Sequence, residues 1–300
     1  MQIKYTDLNI DFFLEDVQFH VLNLVYEKFL RSIPKHSHSR QSYEIHYIDS
    51  GYGTTVIDGT TYSLRPGTLF VTGPDIEHEQ SPLPSDPMEE YCIYLKITPG
   101  RSTLISSQAD QITQLFQATP FWFGQDTHHF GDLAKSIFSE MESQTLGYRL
   151  QIRSLLQQCI INLVRNYITS NCQPRSNPAT DSPFEPSNLS DQKYLILEEC
   201  FLYEYATITL SSLSARLGLS TRQTERLLKE YYGQTFLQKR GEARMSAASI
   251  LLLNTDKSIS DIAAELGFSA IEHFSNAFKR HYGMSARAYK KLHQLTPSAS

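Results

Sequence analysis

His36, His38, Glu44 and His78 bring three imidazoles and a carboxylate into one short part of the chain. These donor types hold divalent cations, and they also donate and accept hydrogen bonds along the wall of an organic-ligand pocket; a purely structural role is the third reading. His46 joins them. In the run YEIHYID (Tyr43 to Asp49) strand alternation sets Glu44, His46 and Ile48 on one face and Tyr43, Ile45 and Tyr47 on the other. Only one set can line a pocket, in which Tyr43, Tyr47 or Tyr94 would stack on a ligand. The four cysteines, Cys92, Cys159, Cys172 and Cys200, show no metal-ligand spacing and read as reduced thiols.

Positioning such groups takes a framework of strands, and the N-terminal half supplies one. YEIHYID, GTTVIDG, TYSL, GTLFVTG and EEYCIYLKI are short, rich in β-branched and aromatic residues, and separated by Gly, Pro and Asp, which predicts a small β-sandwich or barrel. After Pro120 the pattern turns helical. In the helix expected from Leu150 to Ile168, Ile152, Leu155, Leu156, Ile160, Leu163 and Val164 form an apolar stripe that either covers the barrel or meets a partner helix in a dimer. The segment SNCQPRSNPATDSPFEPSN holds four prolines and predicts a linker over residues 170–189. The expected domains are therefore 1–169 and 190–295. No run reaches the ~20 apolar residues of a membrane span, and the first residues lack the basic-then-apolar order of a signal peptide, so a cytoplasmic location is expected.

The formal charge of -5 is unevenly spread. From residue 188 onward 14 Lys+Arg stand against 11 Asp+Glu, so the C-terminal third is mildly basic and the remainder acidic. That third also repeats itself: ARLGLS (Ala215 to Ser220) returns as AELGFS (Ala264 to Ser269) after 49 residues. Beyond the serine the offset is 50, with Thr224 matching Phe274, Leu228 Phe278, Lys229 Lys279 and Gly233 Gly283, so one residue is inserted in the second turn. Each copy reads as a short helix, a glycine turn, an N-capping serine (Ser220, Ser269) and a longer amphipathic helix, which is a helix-turn-helix. The intervening FLQKRGEARMSAASILLLN would span roughly 28 Å as a helix, comparable with the ~34 Å between successive major grooves on one face of DNA.

ISDIAAELGFSAIEHFSNAFKRHYGMSARAYKK (Ile259 to Lys291) resembles the signature of the AraC/XylS family of bacterial transcription regulators, IxxIAxxxGFxxxxxFxxxFKxxxGxxPxxYR. Arg244 and Met245 stand where that family's linker helix carries an Arg-Leu pair. Ala286 and Lys290 depart from the pattern's proline and arginine, and a lysine cannot grip phosphate bidentately. The resemblance implies base contacts from Arg222, Glu225 and Arg226 in the first recognition helix and from Ile271, Glu272 and Asn276, with His273 nearby, in the second. Lys229, Lys279, Arg280 and Lys290 complete the expected DNA-facing set. The second set lacks an arginine among its base-reading positions, so stronger readout by the first motif is expected.

The N-terminal domain resembles a cupin: His36, His38, Glu44 and Gly51 follow the HxHxxxxExxxxxxG motif with one extra residue before the glutamate, and Gly67 and His78 keep the second motif's separation. The expected fold is α+β in two domains, a cupin-like β-barrel with trailing helices followed by an all-α domain with two helix-turn-helix motifs. The resemblance implies a ligand-responsive transcription activator of neighbouring metabolic genes, working as a homodimer on double-stranded DNA with RNA polymerase, and a small-molecule effector for which a sugar is one candidate. His36, His38, Glu44, His46 and His78 are its expected ligand-binding residues, with neither metal nor cofactor and no enzymatic activity. The alternative is a metal-dependent cupin enzyme fused to a DNA-binding module.

Overall fold

In the computed structural model, which describes residues 2–38, 41–100, 107–169 and 191–294, the chain opens with a long hairpin. Strands β1 (Gln2–Leu14) and β2 (Val17–Lys28) pair antiparallel about the two-residue turn Glu15–Asp16, where Glu15 has φ 50°. Then come β3 (Ile33–His36), β4 (Ser42–Ser50), β5 (Gly53–Ile57), β6 (Thr60–Leu64), β7 (Thr68–Thr72), β8 (His78–Pro82), β9 (Glu89–Thr98) and β10 (Phe121–Gln125). Six of them form an antiparallel sheet in the order β1-β2-β9-β4-β7-β10, and β5 and β6 pair antiparallel in a second sheet. The strand β10 corrects the helical expectation after Pro120. Its FWFGQ is aromatic and too short for a helix, while the helix α1 (Gln108–Ala118) precedes the proline.

The two faces of the large sheet carry different chemistry. Tyr43, Ile45, Leu69, Val71, Ile93 and Leu95 point into an apolar core. Helices α2 (Phe130–Ser143) and α3 (Tyr148–Thr169) cover that core, and Ile152, Leu155, Leu156, Ile160, Leu163 and Val164 of α3 are all buried in it. The α3 stripe is thus used within the chain itself, the first of its two expected roles. Burying a Leu or Ile side chain contributes about 2 kcal/mol, which favours the nearest apolar surface over an exposed one. The opposite face carries Glu44, His46, Phe70, Thr72, Cys92 and Tyr94, because β4 pairs Glu44 with Thr72 and Tyr94, and His46 with Phe70 and Cys92.

Two compact units are present, and the second is Arg31–His36, Glu79–Ser81 and Asn188–Ser300. Its helices are α4 (Asp191–Tyr203), α5 (Leu210–Leu217), α6 (Thr221–Tyr232), α7 (Phe236–Asn254), α8 (Ile259–Glu265), α9 (Ile271–Tyr282) and α10 (Ala286–Gln294). Reciprocal capping boxes start four of them, from Thr209, Ser220, Thr235 and Ser258. Glycines in the left-handed region, Gly233 and Gly283, end α6 and α9. The inserted residue moves the second start: α9 is preceded by Ala270, which makes no side-chain cap bond, so the expected cap at Ser269 is corrected. Within this unit β3 lies along α7, its Lys35 N–H donating to Ser246 Oγ at 2.7 Å, and Ile33 is buried. The expected linker over 170–189, with Cys172, lies outside the described residues; Cys92, Cys159 and Cys200 are free and buried. No described helix is long and apolar enough to cross a membrane.

Candidate functional site

Two groups of residues can carry function, one in each unit. In the first, Glu44 Oε2 lies 2.9 Å from His38 Nε2 and 3.4 Å from both His46 Nε2 and His78 Nε2. All three imidazoles are buried. Tyr94 lies over His38, with ring centroids 4.8 Å apart, and His46 stacks on Phe70 at 4.3 Å. His38, Glu44, His46 and His78 therefore meet, as expected of ligand-binding residues. His36 closes β3 and belongs to the second unit; its Nδ1–H donates to the Pro34 carbonyl at 2.8 Å. Tyr43 and Tyr47 sit on the helix-covered face, against Phe116 and Phe130, and are corrected as stacking residues.

Sequence reasoning left out Glu90 and Cys92. Glu90 Oε1 lies 2.8 Å from His46 Nδ1, and Cys92 offers its sulfur beside Glu44 and His46, their ligand atoms all within 4.8 Å of one another. The alternation in EEYCIYLKI places Glu90, Cys92 and Tyr94 on one face, but only the register between β4 and β9 shows that this face meets Glu44.

The cluster has an uneven charge state. Burial alone would push the Glu44 carboxyl up, yet the His38 charge and hydrogen bonds from His38, His46 and His78 hold it well below the usual carboxylate range. Burial opposes protonation of His46, but Glu90, Cys92 and Glu44 together outweigh it and the imidazole is raised well above its ordinary value. His78 is lowered by burial, and its Nδ1 lies 3.1 Å from the Ile76 carbonyl, which can only accept. Neutral His78 has a single N–H to share between the Ile76 carbonyl at Nδ1 and the Glu44 carboxylate at Nε2. Burial also pushes the Cys92 thiol up to about 12, so it stays protonated.

Such an array can exchange hydrogen bonds with a polar organic molecule through donors, acceptors and an ionised carboxylate. Its imidazole and carboxylate donors also suit a divalent ion of the zinc class, since ligand bonds of about 2.0–2.2 Å at tetrahedral angles set donor atoms roughly 3.3–3.6 Å apart, close to the present 2.9–3.4 Å spacings.

In the second unit, α6 and α9 each turn two residues inward, Thr224 and Leu228 in one and Phe274 and Phe278 in the other. Arg222, Arg226 and Lys229 are exposed on α6, and Ile271, Glu272, His273, Asn276, Lys279 and Arg280 on α9. Among the described residues neither Arg222 nor Arg226 has an ion-pair or hydrogen-bond partner, which leaves both forks open for guanine O6 and N7. Two expected contacts are engaged elsewhere. Glu225 Oε2 accepts the Phe236 N–H at the start of α7, at 3.2 Å, where a carboxylate offsets the helix dipole. Lys290 Nζ donates to the Thr255 carbonyl just past the end of α7, at 2.9 Å.

A model described as a helix-turn-helix domain matches residues 213–292, and one described as an AraC-like ligand-binding domain matches residues 30–160. The transcriptional activator NphR of Rhodococcus sp is 38% identical over 88 residues, 29% of this chain and 26% of that protein. The HTH-type transcriptional activator RhaS of Enterobacter sp. (strain 638) is 25% identical over 264 residues, 87% of this chain and 88% of that protein. Among solved structures, the C-terminal domain of the response regulator yesN from Fusobacterium nucleatum is 30% identical with a TM-score of 0.32, covering 34% of this chain and 99% of that one.

Proposed function

Because the chain belongs to the AraC family of transcription regulators and is ligand-responsive, we propose that it activates neighbouring metabolic genes by reading DNA chiefly through α6. The observation that carries this reading is the pair of unpartnered arginines, Arg222 and Arg226, one helical turn apart on the outer face of a doubly capped helix. The α9 face, with Asn276, Lys279 and Arg280, adds contacts that position the protein more than they specify sequence. Double-stranded DNA, RNA polymerase and a second copy of the chain are the proposed macromolecular partners, in the cytosol.

The effector site we propose is the cluster of His38, Glu44, His46 and His78 with Tyr94, where a small polar molecule would exchange hydrogen bonds with Glu44 and the imidazoles around it. Two observations support a path from there to DNA. His38 and His78 adjoin, along the chain, the segments Arg31–His36 and Glu79–Ser81, which fold with the second unit. Of these, β3 is tied to the spacer helix α7 by the Lys35 to Ser246 hydrogen bond. An effector that binds one arrangement of the cluster better shifts the population of that arrangement.

Arg222→Ala and Arg226→Ala are each expected to lower discrimination between cognate and mismatched base pairs by about 1–3 kcal/mol. Lys290→Ala, which removes a bond to Thr255, should leave that preference unchanged. Competition binding against single-mismatch duplexes measures both, and equal effects at the three positions would refute the assignment.

A further inference from the structure

The two glycine turns that look alike in sequence sit in different surroundings. Gly218 has φ 65° and nothing within 4 Å of an added Cβ. Gly267, at φ 76°, is wedged: an added Cβ would lie 2.2 Å from the Ala206 carbonyl oxygen and 2.9 Å from Arg244 Nη2. The same carbonyl is gripped from α7. Arg240 and Arg244, one helical turn apart, both direct Nε to the Tyr205 oxygen (3.0 Å each) and Nη2 to the Ala206 oxygen (3.0 and 2.7 Å). The Arg244 guanidinium also lies 5.0 Å over the Phe268 ring.

Three parts of the domain meet at this point. Tyr205 and Ala206 lie in the loop that leads into the first helix-turn-helix, Arg240 and Arg244 on the spacer helix, and Gly267 and Phe268 in the turn of the second motif. Burial, with the Arg240 charge beside it, lowers Arg244 only to about 10, so it remains a charged fork at neutral pH. A cleft of about 890 Å³ between α7 and α9 is lined by Arg240, Arg244 and Phe268 together with Arg280 and His281. The bonded arginines of this cleft are committed to backbone carbonyls rather than aimed outward like Arg222 and Arg226.

We propose that Arg244, supported by Arg240, is a register pin: it fixes α9 relative to α6 and thereby sets which separation between two major-groove half-sites the protein accepts. This rests on the reading of α6 and α9 as recognition helices. Planar guanidinium geometry is what the role requires, because one fork can reach two successive carbonyls while stacking on an aromatic face, and a lysine ammonium cannot. Arg244 is on this account a positioning residue that never touches a base, yet it determines specificity.

The test is selection by the full chain from a pool of duplexes randomised over roughly three helical turns. The wild type is expected to enrich a two-part site with one sharp spacing. Arg244→Lys should keep the same half-site sequences, accept spacings shifted by about one base pair either way, and bind the wild-type spacing at least ten-fold more weakly. Arg240→Lys, which leaves the Arg244 fork in place, is expected to broaden the spacing in the same direction and serves if the first variant does not fold. Variants that bind more weakly at every spacing alike, or melt earlier while selecting the original spacing, would overturn the pin and leave only a structural role. A wild type that enriches no two-part site would instead overturn the reading of α6 and α9 themselves.

Discussion

Gly267→Ala is expected to destabilise the DNA-binding domain by about 3 kcal/mol or more, while Gly218→Ala costs only about 1 kcal/mol. Both residues hold the left-handed conformation, in which any Cβ is unfavourable, so that contribution is shared. The difference is what the Cβ meets. At Gly218 it meets nothing, whereas at Gly267 it overlaps a backbone carbonyl that cannot swing aside without weakening two arginine hydrogen bonds. Charge-assisted bonds of that kind contribute about 1.5–3 kcal/mol each. In a domain of this size the Gly267 variant should melt on the order of 10 °C lower or more, and the Gly218 variant by roughly 4–8 °C. Thermal unfolding followed by circular dichroism decides it; equal shifts would show that Ala206 relaxes freely and that the wedge has no energetic weight.

Replacing Glu44 by alanine should cost the N-terminal domain about 3 kcal/mol, because it removes one partner from a buried ionic cluster and leaves His38, His46 and His78 facing one another. Glu44→Gln keeps the shape and part of the hydrogen bonding, and should cost less than half as much. The pH dependence separates charge from shape. Since the folded carboxyl titrates well below its usual 4.5, its contribution is fully present above that value and is lost as pH falls through the folded value. The acid limb of a stability curve should therefore flatten in Glu44→Gln. His46, raised above 6.5, behaves oppositely: its contribution is present below 6.5 and is lost as pH rises through the folded value. The same variant bears on the competing metalloenzyme reading. Metal analysis of a dialysed wild-type sample is expected to give no stoichiometric metal. A full equivalent that Glu44→Ala abolishes would replace the organic effector with a cation.

What was legible in the sequence followed from local rules. The glycine turns, the offset of 49 becoming 50, and the alternation in YEIHYID each depend on a few neighbouring residues, and so they placed the two helix-turn-helix motifs and the Glu44 face. What was not legible depended on partners far away in sequence. The β1–β2 hairpin turns at Glu15–Asp16, with neither glycine nor asparagine to mark it, and its strands contain continuous apolar runs such as FFL that blur the alternation. The helical pattern expected after Pro120 starts only at Phe130, because the aromatic residues that follow the proline pair with β7. One inserted residue moves the α9 cap from Ser269 to Ala270, although the sequence still offers the serine. That Glu225 and Lys290 also bind the ends of α7 shows only once those ends are placed, and Arg240 becomes notable only with the Tyr205 and Ala206 carbonyls in place.

The central claim is that this chain binds DNA specifically through two unequal helix-turn-helix motifs. The most direct measurement is the affinity of the full chain for its own upstream region, titrated with salt, for the wild type and for the Arg222→Ala/Arg226→Ala double variant. The wild type is predicted to bind with a log K that falls linearly with log salt, by about 0.9 per neutralised phosphate, and to outcompete bulk DNA by a factor on the order of 10³ or more. The double variant should lose most of that preference while retaining weak, salt-sensitive binding through the remaining cationic residues. Binding that ignores salt, or a double variant as selective as the wild type, would contradict the account.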